Sequence, residues 1–257
     1  MASVAHQVCR DFEYVVVDGL SSDGSREVIA NYESLTDHLI CEKDSGLYEA
    51  MNKGSKIASG EYLLFLNSGD WLCDDGVVGR LLEAVDGDAD IYYSDLTVSD
   101  GFHSTTIRYP SHVDVNYFVG ATISHQNSLI RRSLLLRAGL YREDFRISSD
   151  WYFFLYASHE LGASFRHIET RISIMEPGGI GNDPTQDAKR VEERRQTIVN
   201  IFGPIAPTIL ELLAYRESKF GYIVRSFGFT GLLGLFLDGY RFLARRLPIM
   251  RSGKNFR

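Results

Sequence analysis

Apolar and polar positions alternate along the first part of the chain in blocks that predict strands and helices in turn. Short apolar or β-branched runs predict strands at Val15–Val17, His38–Cys41, Tyr62–Leu66 and Asp90–Ser94. Apolar residues at helical spacing predict helices over Val28–Tyr32, Leu47–Ala58 and Gly76–Val85. This order is typical of βαβ units and predicts an α/β fold with a mostly parallel sheet. Tyr62–Leu66 is apolar on both faces, which predicts a central strand.

After Asp95 the rhythm changes. A hairpin is predicted over Thr97–Tyr109, strands at Ile123–Arg131, Phe165–Ile168 and Arg171–Met175, and helices at Arg132–Ala138 and Ser149–Leu161. Gly178–Gly181 is a predicted loop, and the chain is predicted to be helical from Pro184 onward. The expected organisation is an α/β domain over residues 1–180 and a helical C-terminal region over residues 181–257.

The chain is acidic overall but has a basic tail. Its formal charge of -7 argues against nucleic acid as a partner. From Arg216 onward there are nine basic and two acidic residues, a net of +7, which leaves -14 for residues 1–215. The three cysteines form no CxxC pair, which favours a reducing, cytoplasmic location, and no signal pattern opens the chain.

Polar turns follow two of the predicted strands. Asp18 follows Val15–Val17, and a small polar turn ending in Asp70 follows Tyr62–Leu66. Ligands of open α/β sheets bind beyond the carboxyl ends of the strands, so both acids are predicted to lie on one rim, where a metal or phosphate binds. Taken singly, each acid is better explained as a turn former or a helix N-cap, and only the occurrence of two such acids favours a ligand site.

Five segments, in order and spacing, resemble the family 2 inverting glycosyltransferases with the GT-A fold: VVVDGLSSDGS, EKDSGLYEAMNKG, ASGEYLLFLNSGDW, SHQNSLIRRSLLLRAGLY and FRISSDWYFFLYA. The resemblance spans about residues 3–180 and is nearest to bacterial enzymes of exopolysaccharide and O-antigen synthesis. It implies a Rossmann-like nucleotide-diphospho-sugar transferase fold. It also implies inverting transfer of a sugar from a nucleotide-diphosphate sugar, a UDP-sugar first, to a glycan or polyprenyl-linked acceptor.

On the donor side, the resemblance implies roles for five residues. Asp18 and Asp44 would contact the nucleobase and ribose, and Asn52 and Lys53 would lie near the donor. Asp70 would be the surviving acid of a DxD metal turn that binds Mg²⁺ or Mn²⁺. Such a cation takes hard oxygen ligands and neutralises a diphosphate leaving group. The plain alternative for Lys53 is a solvated side chain on its helix.

On the acceptor side, the resemblance implies that Asp150 is the general base and that His125 and Gln126 line the sugar or acceptor pocket. Asp150 would take the proton of an acceptor hydroxyl as that oxygen attacks the anomeric carbon, and no covalent enzyme nucleophile is required. Asp150 is also explained as a helix cap, and His125 as an ordinary sheet histidine.

Two departures from the family pattern carry expectations. The metal turn has Asn67 and Gly69 where many relatives have acids, which predicts weaker or water-mediated metal binding. A first strand and helix of the family, roughly 25 residues, have no counterpart before SVAHQVCRDFEYVVVDG, which predicts unpaired backbone groups and an apolar slot. We therefore expect low stability and weak donor binding, and micromolar binding of UDP with Mn²⁺ would refute this expectation.

The sequence of the C-terminal tail predicts a contact with a membrane surface. Phe220–Leu247 has apolar residues on most helical faces and a basic flank, which predicts a peripheral helix on the inner face of the plasma membrane. The alternative is a helix packed on the body or on a second subunit.

Two rival functions stay open from the sequence. One is a non-catalytic glycosyltransferase remnant that acts as a binding or scaffold protein, favoured by the absent first strand and opposed by the retained acids. The other is a nucleotidyltransferase, which the segments around His125 and Asp150 make less favoured.

Overall fold

The computed structural model describes residues 1–179, 181 and 183–217. The strands in these residues are β1 (Val15–Asp18), β2 (His38–Cys41), β3 (Tyr62–Leu64), β4 (Trp71–Leu72), β5 (Ile91–Tyr93), β6 (Leu96–Ser99), β7 (Ser104–Ile107), β8 (Ser128–Arg131), β9 (Phe165–His167) and β10 (Ser173–Met175). The helices are α1 (Ala2–Ala5), α2 (Ser25–Ala30), α3 (Leu47–Ile57), α4 (Val77–Ala84), α5 (Val115–Gly120), α6 (Arg132–Arg137), α7 (Ser149–His159), α8 (Asp187–Phe202) and α9 (Ala206–Glu217).

Most predicted elements are present, but the strand predicted over Ile123–Arg131 forms only in its second half. Its first half is a 3-10 turn, His125–Asn127, followed by β8. The turn closes because the Asn127 N–H and the Ser128 hydroxyl both donate to the Ser124 carbonyl. The turn therefore presents His125 and Gln126 on a bend instead of along a strand.

The strands form three sheets and are less parallel than predicted. β1 pairs with β2 alone, and the two four-stranded sheets have the orders β3-β8-β5-β9 and β4-β10-β6-β7. Among the described strands, β1–β2, β5–β9 and β10–β6 are parallel, whereas the other four pairings are antiparallel. Two of these four pairings arise because β8 runs antiparallel between β3 and β5, which local patterning does not encode.

β3 lies at an edge of its sheet, so the prediction of a central strand is wrong within the described residues. No hydrogen-bonded pairing joins β1 to β3 in this part of the chain. The apolar character of both faces instead reflects packing: Leu63 is buried, and Tyr62 and Leu64 pack against a core cluster that includes Leu72 and Val77. The expectation of an absent strand stays a prediction.

α7 is the most deeply buried helix of the α/β body. Trp151, Phe153 and Phe154 are almost completely buried, and Phe154 stacks on Phe118 of α5. A helix that is apolar on all sides belongs inside the core. Its first turn, which carries Asp150, is therefore held by the packing of the helix that follows.

By internal contacts, the chain divides into two compact units, residues 1–197 and residues 198–257. The predicted boundary at residue 180 stays a prediction, and the predicted tail helix over Phe220–Leu247 lies outside the described residues. In the described part, one helical stretch, Pro184–Ala214, is long and apolar enough to cross a bilayer by length and composition alone. Core helices of soluble proteins meet the same two criteria.

Candidate functional site

Asp18 and Asp44 lie together at the carboxyl ends of β1 and β2. The parallel register pairs Asp18 with Cys41, so both strands end at one edge. The Asp44 carboxylate lies so close to Gly19 that a Cβ there would be 2.5 Å from Oδ2 of Asp44. Asp18 accepts the Ser21 N–H at 3.1 Å, and hydrogen bonds from Ser21 lower the pKa of Asp18. Two carboxyl groups thus share this edge.

Asn52 and Lys53 make structural contacts on α3. Asn52 is buried and binds the backbone of Tyr141 twice, with Nδ2 donating to the carbonyl at 2.8 Å and Oδ1 accepting from the N–H at 2.9 Å. The Lys53 Nζ contacts the Lys43 carbonyl and the carboxylates of Glu42 and Glu49. Their roles near the donor stay predictions. In this structure Lys53 fixes α3 to residues 42–43, and Asn52 fixes it to Tyr141.

The predicted metal turn holds Asp70 in a half-buried position. The turn closes through the Asp70 N–H, which donates to the Asn67 carbonyl at 3.1 Å. The Asp70 carboxylate accepts from Gln126 Nε2 at 3.1 Å and from the Glu176 N–H at 3.2 Å. Burial raises the pKa of Asp70 despite these donors.

Glu176 is an acid of this site that the sequence reasoning missed. It follows β10 directly, and a Cβ at Gly69 would lie 2.7 Å from its Oε2 atom. Gly69 has a φ of +91°, so the turn depends on a glycine both for its backbone conformation and for its close approach to Glu176. The rule that drew attention to Asp18 and Asp70, an acid directly after a strand, also identifies Glu176.

His125 connects the metal turn to Asp150. Its Nδ1 atom lies 2.8 Å from Oδ2 of Asp150, and its Nε2 atom lies 2.9 Å from Nδ2 of Asn67. Because the Asn67 amide nitrogen is a donor, this arrangement assigns the ring proton to Nδ1, which donates to Asp150. The neighbouring residue Gln126 binds Asp70, so one turn joins the two carboxylates.

Asp150 is held by three donors and keeps an acceptor position free. Oδ1 accepts from the Tyr48 hydroxyl at 3.0 Å and the Trp151 N–H at 2.8 Å, and Oδ2 accepts from His125. Burial acts to raise the pKa of Asp150, but these hydrogen bonds, chiefly that of His125, leave it lowered. A carboxylate has about four lone-pair sites, so one stays available on Oδ2 among the described contacts. The side chain is 18% exposed, which leaves it accessible to a hydroxyl.

The four predicted aspartates form two pairs that α3 connects. Asp18 and Asp44 share one strand edge, and Asp70 and Asp150 are bridged by His125 and Gln126. α3 begins three residues after Asp44 and carries Tyr48, whose hydroxyl contacts Asp150.

The metal turn supplies an incomplete set of ligands. Within the described residues, no three His, Cys, Asp or Glu side chains are grouped to enclose an ion. Asp70 and the neighbouring Glu176 each offer hard carboxylate oxygen atoms. Mg²⁺ is commonly held in this way, by one or two carboxylates with substrate phosphates and water completing the shell. The residues present therefore fit a divalent cation that binds together with a phosphorylated ligand.

Two curated relatives from Mycobacterium tuberculosis are similar to this chain. A "PGL/p-HBAD biosynthesis glycosyltransferase" is 31% identical over 188 residues, which cover 70% of this chain and 72% of the relative. An "uncharacterized glycosyltransferase" is 32% identical over 154 residues, which cover 57% of each protein.

Two solved structures share the fold. Staphylococcus aureus TarS residues 1–349 in complex with UDP gives a TM-score of 0.62 at 19% identity, covering 89% of this chain and 68% of that one. The mannosyltransferase PcManGT of Pyrobaculum calidifontis, in complex with GDP-Man and Mn²⁺, gives 0.59 at 14% identity, covering 96% and 76%. These likenesses confirm the GT-A α/β fold.

The family model for glycosyl transferase family 2 matches residues 1–161, which include Asp18, Asp44, Asp70 and Asp150. The match covers more than half of the chain and agrees with the relatives and the fold. This protein is therefore a glycosyltransferase with the GT-A fold, and the chain belongs to glycosyl transferase family 2.

Proposed function

We propose that this glycosyltransferase transfers a sugar, with inversion, from a UDP-sugar to a hydroxyl of a glycan or polyprenyl-linked acceptor in cell-surface polysaccharide synthesis. The observation that carries the proposal is the Asp150 carboxylate, which is held by Tyr48, Trp151 and His125 with a free acceptor position on Oδ2. Its lowered pKa keeps it ionised at neutral pH, as a base must be before it accepts a proton.

The reaction requires one displacement. The acceptor hydroxyl donates to Oδ2 of Asp150 and attacks the anomeric carbon on the face opposite the leaving UDP. The proton passes to Asp150 as the new C–O bond forms and the bond to the diphosphate breaks. A single attack of this kind inverts the anomeric configuration.

The donor would lie along the strand edge that carries Asp18 and Asp44. Two carboxylates there can accept hydrogen bonds from a nucleobase N–H and from ribose hydroxyls. TarS, which shares the fold, was solved in complex with UDP, and this supports UDP as the first nucleotide to test. Asn52 and Lys53 would hold α3 in place beside the donor through the contacts described above.

Asp70 and Glu176 would hold Mg²⁺ or Mn²⁺ at the metal turn. When bound, the cation supplies charge neutralisation for the diphosphate leaving group. Gln126 donates to Asp70 and so orients one of the two carboxylates. The Mn²⁺ in the structure of PcManGT, a fold relative, supports a divalent metal as the cofactor.

We further propose a cytoplasmic location, with the basic tail resting on the inner membrane surface where polyprenyl-linked acceptors lie. The charge of +7 from Arg216 onward supports this attachment. The hydrogen-bonded network around Asp150 favours an active enzyme over a non-catalytic remnant, because a binding protein has no need of an ionised, partly exposed base.

A donor screen with an Asp150 variant tests the function. Purified protein with Mn²⁺ is incubated with a panel of UDP-sugars, and UDP release is measured with and without lipid-linked or glycan acceptors. We expect Asp150→Asn to lower turnover by about 10²- to 10⁴-fold, with UDP binding changed by less than about threefold. NMR of the product reports the anomeric configuration.

The control for this screen is Asp11→Asn, because Asp11 is exposed and lies before β1. It is expected to behave as the wild type. Turnover by Asp150→Asn at the wild-type rate would contradict the assignment of the base. Retained configuration in the product would contradict the single displacement.

A further inference from the structure

Glu193 on α8 is a buried carboxylate that binds a run of backbone N–H groups. Its side chain lies in the interior, with the residue 5% exposed. It accepts from Arg146 at 2.7 Å through Oε1, and from Ile147 at 3.1 Å and Ser148 at 2.9 Å through Oε2. Burying a carboxylate is unfavourable unless hydrogen bonds replace its water. Three consecutive amide donors supply that replacement, as in other backbone sites for anions.

The bound segment leads directly into the first turn of α7. Ser148 is the N-cap of α7, its own side chain makes no capping hydrogen bond, and Asp150 follows two residues later. The carbonyl of Ile147 accepts from the Tyr48 hydroxyl at 2.7 Å, and Tyr48 also contacts Asp150. Glu193 therefore fixes the backbone of residues 146–148. This backbone carries the Ile147 carbonyl that binds Tyr48, and it leads into the turn that carries Asp150.

Arg146 of this segment also lines a cavity, together with Tyr48, which contacts Asp150. The cavity, of about 180 Å³, is lined by residues 45–49 at the start of α3 on one side and by residues 143–146 and Lys189 on the other. Tyr48 is among the lining residues. A displacement of residues 146–148 would alter both the wall of this cavity and the aim of the Asp150 carboxylate.

A second contact joins α8 to the same turn. The Arg194 guanidinium lies over the Trp151 ring, 5.0 Å from its centre, and the Trp151 indole N–H donates to the Phe118 carbonyl. Asp150 thus lies in the sequence between two residues that contact α8. Ser148 binds Glu193, and Trp151 contacts the next residue, Arg194.

We propose that Glu193 is a positioning residue for Asp150: it anchors residues 146–148 and thereby holds the base in register with the acceptor. This proposal rests on the proposed function of Asp150. Misplacement of a reacting group by about 1 Å can lower a rate by about 10²-fold, so loss of the anchor affects turnover more than donor binding.

The test uses Glu193→Ala and Glu193→Gln, with Glu192→Ala as the matched control. Glu192 is the adjacent residue, is exposed and pairs with Arg195. We expect Glu193→Ala to lower kcat for UDP release from the preferred UDP-sugar by about 10- to 100-fold, with KM for the donor changed by less than about threefold. Glu193→Gln keeps one acceptor oxygen and is expected to recover part of the loss.

Hydrogen exchange provides a readout independent of activity. The amides of residues 146–148 are expected to exchange slowly in the wild type and in Glu192→Ala, and faster in Glu193→Ala. Wild-type kcat in Glu193→Ala, or unchanged exchange at residues 146–148, would overturn the proposal. A raised KM with unchanged kcat would also overturn it.

The two proposals fail in different ways. If the wild type releases UDP from no donor, the proposed function fails, and the exchange measurement alone then supports or overturns the anchor. If Glu193→Ala does not fold, the kcat and amide exchange of Glu193→Gln decide the question.

Discussion

At the scale of single residues, Asp70 and Asp150 show how the surroundings of two similar carboxyls shift their pKa values in opposite directions. Both carboxyls are partly buried, but the pKa of Asp70 is raised by its burial, whereas the pKa of Asp150 is lowered. The difference lies in the donors: Asp150 accepts from His125, Trp151 and Tyr48, and these stabilise its charge. Asp150 therefore keeps its charge through hydrogen bonds, whereas burial disfavours the charged form of Asp70.

Replacing His125 should move the pH dependence of the reaction. In His125→Leu, burial of Asp150 acts without its main opposing hydrogen bond, so the pKa of Asp150 rises. We expect the acidic limb of the kcat/KM profile to move to higher pH. The measurement is UDP release between about pH 3 and about pH 8, a range that spans ordinary carboxyl and histidine pKa values.

The His125→Leu substitution should also change how the stability of the protein depends on pH. Because the folded-state pKa of Asp150 is below its usual value, the stabilisation is present at neutral pH and is lost as pH falls through the folded-state pKa. His125→Leu should remove this acid-side dependence. The control is His112→Leu, at an exposed histidine. If the acidic limb of the kcat/KM profile were identical in the His125→Leu and His112→Leu variants, the role of His125 would be contradicted.

At the scale of elements, the metal turn and α3 place the site residues. The turn brings Asp70 and Glu176 together because β10 pairs with β4, with Ile174 opposite Trp71. α3 carries Tyr48 to Asp150 and is tied to the segment before α7 by Asn52. Each element thereby sets the distances between the groups that are proposed to act in the reaction.

A pair of glycine variants separates the backbone conformation of the metal turn from its close contact. Gly69 and Gly101 both have left-handed φ angles, +91° and +88°, but a Cβ at Gly101 meets no atom within 4 Å. We expect both Gly→Ala variants to lose about 1–2 kcal/mol of unfolding free energy. Only Gly69→Ala, which presses on Glu176, should also weaken Mn²⁺-dependent binding of UDP. Equal Mn²⁺ affinities in titration calorimetry would contradict this.

Asn52→Ala tests the tie between α3 and Tyr141. The variant leaves the buried N–H and carbonyl of Tyr141 without their partner, so we expect a loss of about 2–4 kcal/mol in unfolding free energy. Urea denaturation measures the loss. Asn31→Ala, at an exposed position after α2, should change it by less than about 0.5 kcal/mol. Equal values for the two variants would show that the Asn52 contacts contribute nothing to stability.

At the scale of the whole molecule, acidic and basic residues are unevenly distributed along the chain. Residues 1–215 carry -14, and the residues from Arg216 onward carry +7. An acidic body is repelled by anionic lipid, whereas basic residues near such a surface each contribute about 1 kcal/mol of attraction. The tail is therefore the part of the chain suited to a membrane surface.

Deletion of residues 220–257 tests this division of roles. The full chain is expected to float with anionic phosphatidylglycerol vesicles at low salt, and the deletion variant is expected to stay in the soluble fraction. Neutral phosphatidylcholine vesicles serve as the control. Flotation of the shortened chain to the same extent would show that the tail is not the attachment site.

The hydrophobic pattern determined most local elements because burial of one face leaves a periodic record in the residues themselves. His38–Cys41 is a strand and α3 begins at Leu47, as predicted. The motif spacing determined the family. The pattern did not determine which strands pair, because β3 and a central strand have the same apolar signature.

Only the tertiary structure decided the contacts on which the proposed roles of the acids depend. Asp150 meets His125 across 25 residues, Gln126 meets Asp70 across 56, and Glu193 meets Ser148 across 45. A side chain's pKa and orientation depend on the donors around it in space, and the sequence records their identity without their positions. The sequence therefore supplied the chemical groups of this protein, and folding determined which of them act together.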